Sequence, residues 1–500
     1  MSAAAPYRII DRRGISSWGD MRIADSTKTG VKRSSNNNYD KDQNRLVGQW
    51  SRRFLLSQGR WLYTNVGAVQ GCIDEMAMIS AGNLAVQFDG EDTQWGAAAE
   101  IWLGEHDRIC DLRGHPYTMQ VLQRLIVKSV LVDGDLFFLL TEGEGGYPLL
   151  QCIPAHRVRG DYYELTEGQF KGYFVRDGVI LNEYARPIGY RVFDDNSEFS
   201  FRDIAQADMV HCFIPKHVDQ LRGYSVIAAS MNNWQDVHDS QGFELEALKR
   251  ASSVAFTENN ELGAPPSDAR LLIPSSDDAT TGISQPAVYG QQMLGGETRY
   301  FPSRTGSKLE AVISDRPTLN QQAFASAVNR ESINSMGWAI DFSLDPTKIG
   351  GAPARLVAEK LNRTLGLIRE QLLFPFRRRV DPWRLAKAQK NGVLRESKDL
   401  FKWRYIGEAD LTADAMYDAQ VTQLELSKGL TSQQIECARR NVDWESAMDQ
   451  RIAYAVAKRD KCKAAGIDPI EIDQLGTVTT QTLNDPNQVA TQPKDPNAKP

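Results

Sequence analysis

Residues 209–256 read MVHCFIPKHVDQLRGYSVIAASMNNWQDVHDSQGFELEALKRASSVAF, and this stretch decides the architecture. It opens as a strand over 209–214, breaks at Pro215 and turns through Gln220, Leu221, Arg222 and Gly223. From Tyr224 to Phe256 there is no proline, and Gly242 is the sole interior helix breaker, so one long helix is expected. At about 1.5 Å per residue it is roughly 45–50 Å long, more than a small core needs. Ile227, Met231, Trp234, His238, Gln241, Leu245 and Leu248 step by four and three, a narrow heptad seam with two polar positions at its middle. Such a helix packs on other helices. His238 reads as a seam residue, because no second metal ligand stands at helical spacing from it.

Downstream, residues 259–316 change to Pro, Gly, Ser and Asp punctuation around short apolar runs, a small β module, and a second helix is expected over 318–336. Two helices bracketing a β module make a projecting stalk with a knob at its tip. Upstream, a helix is expected over 65–81, stopped by Gly82, and another over 118–130. Strands follow over 149–153, 179–181, 189–193 and 209–214, so the body is α+β. Asp133, Gly134 and Asp135 precede the aromatic strand of Leu136, Phe137 and Phe138. Two close carboxylates invite a catalytic reading, but Asp-Gly-Asp ahead of a strand is ordinary turn chemistry.

After Gly337 a non-helical loop is expected over 338–353, then an amphipathic helix with the apolar face Val357, Leu361, Leu365, Ile368 and Leu372, ending or kinking near Pro375. From Arg355 through Arg395 eleven Lys or Arg stand against three acids, so the segment requires a negative partner. For Arg377, Arg378 and Arg379 the alternatives are a solvated face, contacts between subunits, or DNA phosphates. A strand over 401–406 and three short helices follow, the second opened by a capping box from Thr431 to Gln434 and the last ended by Gly466. Residues 1–45 and those from about 475 onward are polar and lack the apolar content to order by themselves.

The 500 residues predict several structural units, and 41% hydrophobic with 24% charged residues is a globular composition. A net charge of -6 argues against a surface that grips phosphates everywhere, while allowing a smooth conduit. The six cysteines never form a CxxC pair, which argues against a disulfide framework or zinc ribbon. No secretory apolar stretch opens the chain and no run of about 18 apolar residues occurs, so folding in a cytoplasm without a membrane span is expected. No phosphate-loop GxxxxGK[ST], HExxH or GxSxG motif is present, and no catalytic residue, metal or cofactor is expected.

Taken in order, these pieces resemble the portal proteins of tailed bacteriophages, the lambda-type portal family. The resemblance runs over about residues 45–465. It is carried by the helical 52–88, by Cys110, Asp111 and Gly114, by 122–139 with its Asp133-Gly134 turn, by Gly178 and Val179, and by Arg186-Pro187-Ile188-Gly189-Tyr190. Its most specific segment is His211-Cys212-Phe213-Ile214-Pro215 followed by Gln220-Leu221-Arg222-Gly223 and the long helix. The chain departs from the family pattern where Ala352-Pro353-Ala354-Arg355 replaces the customary Ser-Ser-Ala-Arg helix start.

The resemblance implies a flexible arm (1–45), a mixed α/β wing (46–223), stem helix one (224–258), a β-containing clip (259–316), stem helix two (317–337), a tunnel loop (338–353), a wing helix and strand (354–408), a helical crown (409–470) and a disordered tail (471–500). It implies a dodecameric ring at a unique capsid vertex of the virion, assembled in the host cytoplasm, through which double-stranded DNA is packaged and ejected. The implied partners are further copies of the chain, the DNA, the terminase large subunit, the major capsid protein and head-tail connector or adaptor proteins, without a membrane. Trp338, Asp341, Ser343 and Lys348 would face the DNA, with Lys348 the loop's one cation. Ile227, Met231, Trp234, Leu245 and Leu248 would form the seam between subunits. The missing phosphate loop puts the motor in another protein. Rival readings are a nucleic-acid-processing enzyme using the basic segment with carboxylates such as Asp133, or another head protein such as an adaptor.

Overall fold

The computed structural model describes residues 42, 44, 47–195, 199–253, 256–260, 307–311, 319–339, 352–412, 415–440 and 442–465. They fall into two compact units. The first takes in the described chain through Gly82, then Phe88–Arg404 and residues 411–412; the second takes in Asn83–Gln87, Tyr405–Asp410 and the described residues from 415 onward. Most of the arm, the clip and the tunnel loop, and all of the tail expected from sequence, lie outside the described residues.

The first unit opens with helices α1 (Gln49–Asn65) and α2 (Gly67–Ala81). Ser51, Leu55, Gly59 and Leu62 are buried on α1, and Val69, Cys72, Ile73, Met76 and Ala77 on α2, the three-and-four spacing of one-sided helices. Gly82 caps α2 as its position predicts. After β1 (Ala85–Phe88) and α3 (Thr93–His106), α4 (Met119–Val132) begins where the Thr118 side chain accepts the backbone N–H of Val121.

Strand β2 (Asp135–Glu142) leaves α4 through Asp133 and Gly134, and β3 (Pro148–Pro154) returns antiparallel to it. Five short strands then form an antiparallel meander: β4 (Tyr163–Glu164), β5 (Phe174–Arg176), β6 (Val179–Leu181), β7 (Pro187–Phe193) and β8 (Phe201–Ala205). β9 (Met209–Phe213) pairs with the other side of β2, which makes β2 the central strand of its own three-stranded sheet. Phe137, Ile153 and Met209 pack against Val179, Leu181, Tyr190 and Val192, so one apolar layer joins the two sheets. Strands buried on one face by such a layer cannot slip register without exposing it.

The long helix begins later than the sequence suggests. A 3-10 turn at Val226–Ala229, capped by the Ser225 side chain accepting the Ile227 N–H, precedes α5 (Met231–Ser253). β10 (Phe256–Asn260) and β11 (Ser307–Ala311) then pair antiparallel, from Phe256 opposite Ala311 to Asn260 opposite Ser307, and α6 (Leu319–Ser335) returns against α5.

Helix α7 (Ala352–Ile368) passes through one π turn at Arg369–Leu373 into α8 (Phe374–Lys390). The expected stop near Pro375 is therefore an irregularity within a continuing helical run. Pro375, which has no N–H to donate, follows closely on the π turn, where the hydrogen-bond ladder is already irregular.

The last strand, β12 (Trp403–Ile406), pairs with β1. In the second unit follow α9 (Ala415–Ser427), α10 (Gln433–Arg439) and α11 (Trp444–Ala465), the last of 22 residues. The cap of α10 is Ser432, whose side chain accepts the Ile435 N–H, and not Thr431, whose hydroxyl donates to the Glu436 carboxylate instead. Leu424, Ile452 and Tyr454 are exposed on these helices and Leu430 in the turn between α9 and α10, while Ala438 and Cys462 are buried.

Candidate functional site: the joint at the root of the long helix

Two turns legible in the sequence meet in space. Gly134 has φ +100°, and a Cβ there would lie 2.3 Å from the Tyr224 Cα; a Cβ on Gly223 would lie 1.8 Å from the Gly134 carbonyl oxygen. Each position thus excludes any side chain, because the obstacle is backbone. This contact brings the Asp-Gly-Asp turn of β2 against the Gln-x-Arg-Gly turn ahead of α5.

Arg222 fills the joint. It is fully buried and all five of its N–H donors are used: Nε and Nη2 on the Asp135 carboxylate, Nη1 on the carbonyls of Val158 (2.8 Å) and Asp177 (2.7 Å), and Nη2 also on that of Ala155 (3.2 Å). Arg52 on α1 adds a second guanidinium, donating to the Asp177 carboxylate and the Gly223 carbonyl. His211 lies 3.4 Å from Asp135 and stacks between Phe137 and Phe213, with ring centroids 4.2 and 4.5 Å away. Burial by itself would raise the Asp135 pKa, but Arg222 and His211 hold the carboxyl well below the usual carboxylate range. Burial pushes His211 down, against the pull of Asp135. The other carboxylate of the turn, Asp133, receives Arg60 in bidentate fashion at 2.8 and 2.6 Å. Both carboxylates therefore already hold a cation where the enzyme reading would put a metal.

The basic segment finds most of its negative partners inside the chain. Arg377 and Arg384 of α8 both reach Asp107, at 3.1 and 2.7 Å, and both pair with the fully buried Asp381. Arg369 donates to the carbonyls of Ile79 (3.0 Å) and Ser80 (3.1 Å) at the carboxyl end of α2, where the helix leaves acceptors unpaired. Lys387 pairs with Glu142, Arg395 with Asp92 and Arg363 with Glu359. Arg377 consequently leaves the proposed surface cluster: it is buried and salt-bridged within the chain, and Arg378 and Arg379 are the exposed members.

His106 closes this second network. Arg384 Nη1 donates to His106 Nδ1 at 2.9 Å, and Nε2 faces the Pro148 carbonyl at 2.8 Å, so the ring fits only as the neutral Nε2–H form. Burial and then Arg384 push its pKa down to about 3. Because the unfolded chain takes up this proton near pH 6.5 and the folded chain does not, stability falls as pH drops below that value. Between pH 7 and 5 the loss from His106 is about 2 kcal/mol. In urea titrations at the two pH values, His106→Gln should remove that part of the slope; an unchanged slope contradicts the assignment.

The seam residues divide. Ile227, Met231 and Trp234 are buried in the chain's own core and are not available to a neighbouring copy, because α1 packs against this part of the helix. Leu245 is exposed and Leu248 half-buried, and Phe243 beside them is exposed. Trp338 is also buried, its indole N–H donating to Glu75 at 3.3 Å, so it cannot line an open passage. Asp341, Ser343 and Lys348 lie outside the described residues. Sequence reading missed Arg52, Asp107, Asp177 and Arg384 as members of these networks. Apart from the i,i+3 pair of Asp381 with Arg384, their partners are remote in sequence, and no local pattern marks them.

Residues 30–341 match the family described as phage portal protein, lambda family. The chain belongs to that family. The match spans α1–α4, the strands β1–β11, the joint and the α5–α6 pair of this portal chain, and ends before α7. Among solved structures it is similar to one from the virion of a native gene transfer agent particle, at 13% identity and TM-score 0.44 over 78% of this chain and 93% of that one. It is also similar to one from the neck of the empty particle, at 14% and 0.45 over 78% and 93%. A HK97 family phage portal protein from Corynebacterium diphtheriae matches at 10% and 0.31 over 66% and 91%. No curated protein matches the chain. The portal family is a family of structural proteins. No helix among the described residues is long and apolar enough to cross a membrane.

Proposed function

We propose that the chain is one subunit of a ring of twelve copies at a unique capsid vertex, which conducts double-stranded DNA during packaging and ejection and docks the terminase and the head-tail connector proteins. The family match over residues 30–341 carries this reading. In it the sheets and α1–α4 are the wing, α5 and α6 the stem, the β10–β11 segment the root of the clip, and α9–α11 the crown. The apolar side chains left uncovered by a single chain support it: Phe243 and Leu245 on α5, Phe324 on α6, and Leu424, Leu430, Ile452 and Tyr454 in the second unit. A heterologous interface that closes on itself covers such surfaces in every copy. In this proposal residues 340–351, with Lys348, face the passing duplex, Arg378 and Arg379 serve neighbouring subunits or DNA, and ATP hydrolysis belongs to a separate protein.

Electron microscopy of the purified protein, with native mass spectrometry, tests it. Annular particles with a central hole and a mass of twelve chains are expected. Exclusively monomeric or non-annular particles at high concentration count against the proposal.

A further inference from the structure

The second unit carries its apolar side chains outward, the reverse of a fold that stands alone. Among its described residues the buried ones are Tyr405, Ile406, Glu436, Ala438 and Cys462. Leu424, Leu430, Met448, Ile452, Tyr454 and Val456 are exposed, Leu430 to 76% and Tyr454 to 69%. Met448, Ile452 and Val456 step by four along α11 and so share one face of a 22-residue helix, among whose described side chains Cys462 alone is buried.

A helix in a folded protein is held chiefly by packing one apolar face, and an isolated one is marginal in water. The polar ties of this unit do not make up the difference. Glu436 receives Thr431, Arg439 and Arg440, all within five residues of it, so they fix the ends of α10 and join it to nothing else. The exposed side chains amount to on the order of 600 Å² of apolar surface, whereas one side of a standard protein–protein interface takes roughly 800 Å², a little over half of it apolar. That exceeds what one side uses and calls for a neighbour on each of two sides. The charges suit a second copy: Glu445 and Asp449 stand toward the start of α11 and Lys461 and Lys463 toward its end, so an offset copy of the same helix meets opposite charge.

We propose that the helices of the second unit are completed by the same helices of two adjacent copies, and that they become stable only on assembly. This rests on the ring reading and adds an order of events to it. The first unit, which has its own apolar core, folds within the single chain; α9–α11 fold against their neighbours.

The test replaces Tyr454 with the photo-cross-linker p-benzoylphenylalanine in the full-length protein, which is imaged and then irradiated. A dimer-sized product is expected on a denaturing gel, with cross-linked peptides from 415–440 or 442–465 of a second copy. Annular particles that give a monomer-sized product, cross-links elsewhere or none overturn this inference and leave the ring standing. The dimer-sized product from non-annular particles supports the inference and counts against the ring; non-annular particles without it overturn both. Ile452→Asp supplies a second measurement. On a helix that stays exposed, the charge should leave amide hydrogen exchange across α9–α11 unchanged, since surface substitutions cost little. Against neighbouring copies it should raise that exchange at least tenfold, with β2 in the first unit unaffected. Unchanged exchange in the variant overturns the inference.

Discussion

Arg222→Met will destabilise the chain by about 3–5 kcal/mol, the cost of leaving a buried carboxylate without its partner. The guanidinium serves Asp135 and three backbone carbonyls at once, and methionine returns the volume without a single donor. Urea denaturation at pH 7 measures the loss. Combining Arg222→Met with Asp135→Asn removes the stranded charge, so the double variant should lose clearly less than the sum of the two single losses. A single-variant loss under about 1 kcal/mol, or strict additivity, would mean that the joint does not depend on this pair.

Gly223→Ala will have an effect of comparable or larger size, by a different route. The new methyl would sit 1.8 Å from the Gly134 carbonyl oxygen and 2.6 Å from its carbon, so one turn must separate from the other. A loss above about 4 kcal/mol is expected, seen as failure to accumulate folded protein. The control is Gly242→Ala in α5, where nothing lies within 4 Å and alanine should stabilise the helix by about 1 kcal/mol. Expression yield and thermal melting separate the two variants. If Gly223→Ala melts with the parent protein, the close approach of the turns is not what holds the joint.

What could be read beforehand was local. Val69, Ile73, Met76 and Ala77 announce the buried face of α2, and Gly82 its end, because helix period and capping act within a few residues. Asp133, Gly134 and Asp135 announce a turn for the same reason. What could not be read was pairing at a distance. Arg377 stands in an Arg triplet and looks like surface, yet Asp107, which precedes it by 270 residues, draws it inside. Ile227, Met231 and Trp234 have the spacing of a seam between helices, and periodicity cannot say whether the partner helix belongs to the same chain. Here α1 takes that place. The buried Trp338 differs again, since Glu75 on α2 receives its indole and no neighbouring residue signals it.

The ladder between β10 and β11 has a consequence for how this chain can change over generations. Asn260 and Ser307 stand opposite one another, so the 46 residues numbered 261–306 leave and re-enter through adjacent positions about 5 Å apart. An insert with neighbouring ends imposes no geometry on its host, and doubling its length adds only about 0.6 kcal/mol of closure entropy. That segment is therefore graftable. Changes in its length cost the host little, so α5, α6 and the joint beneath them can stay as they are.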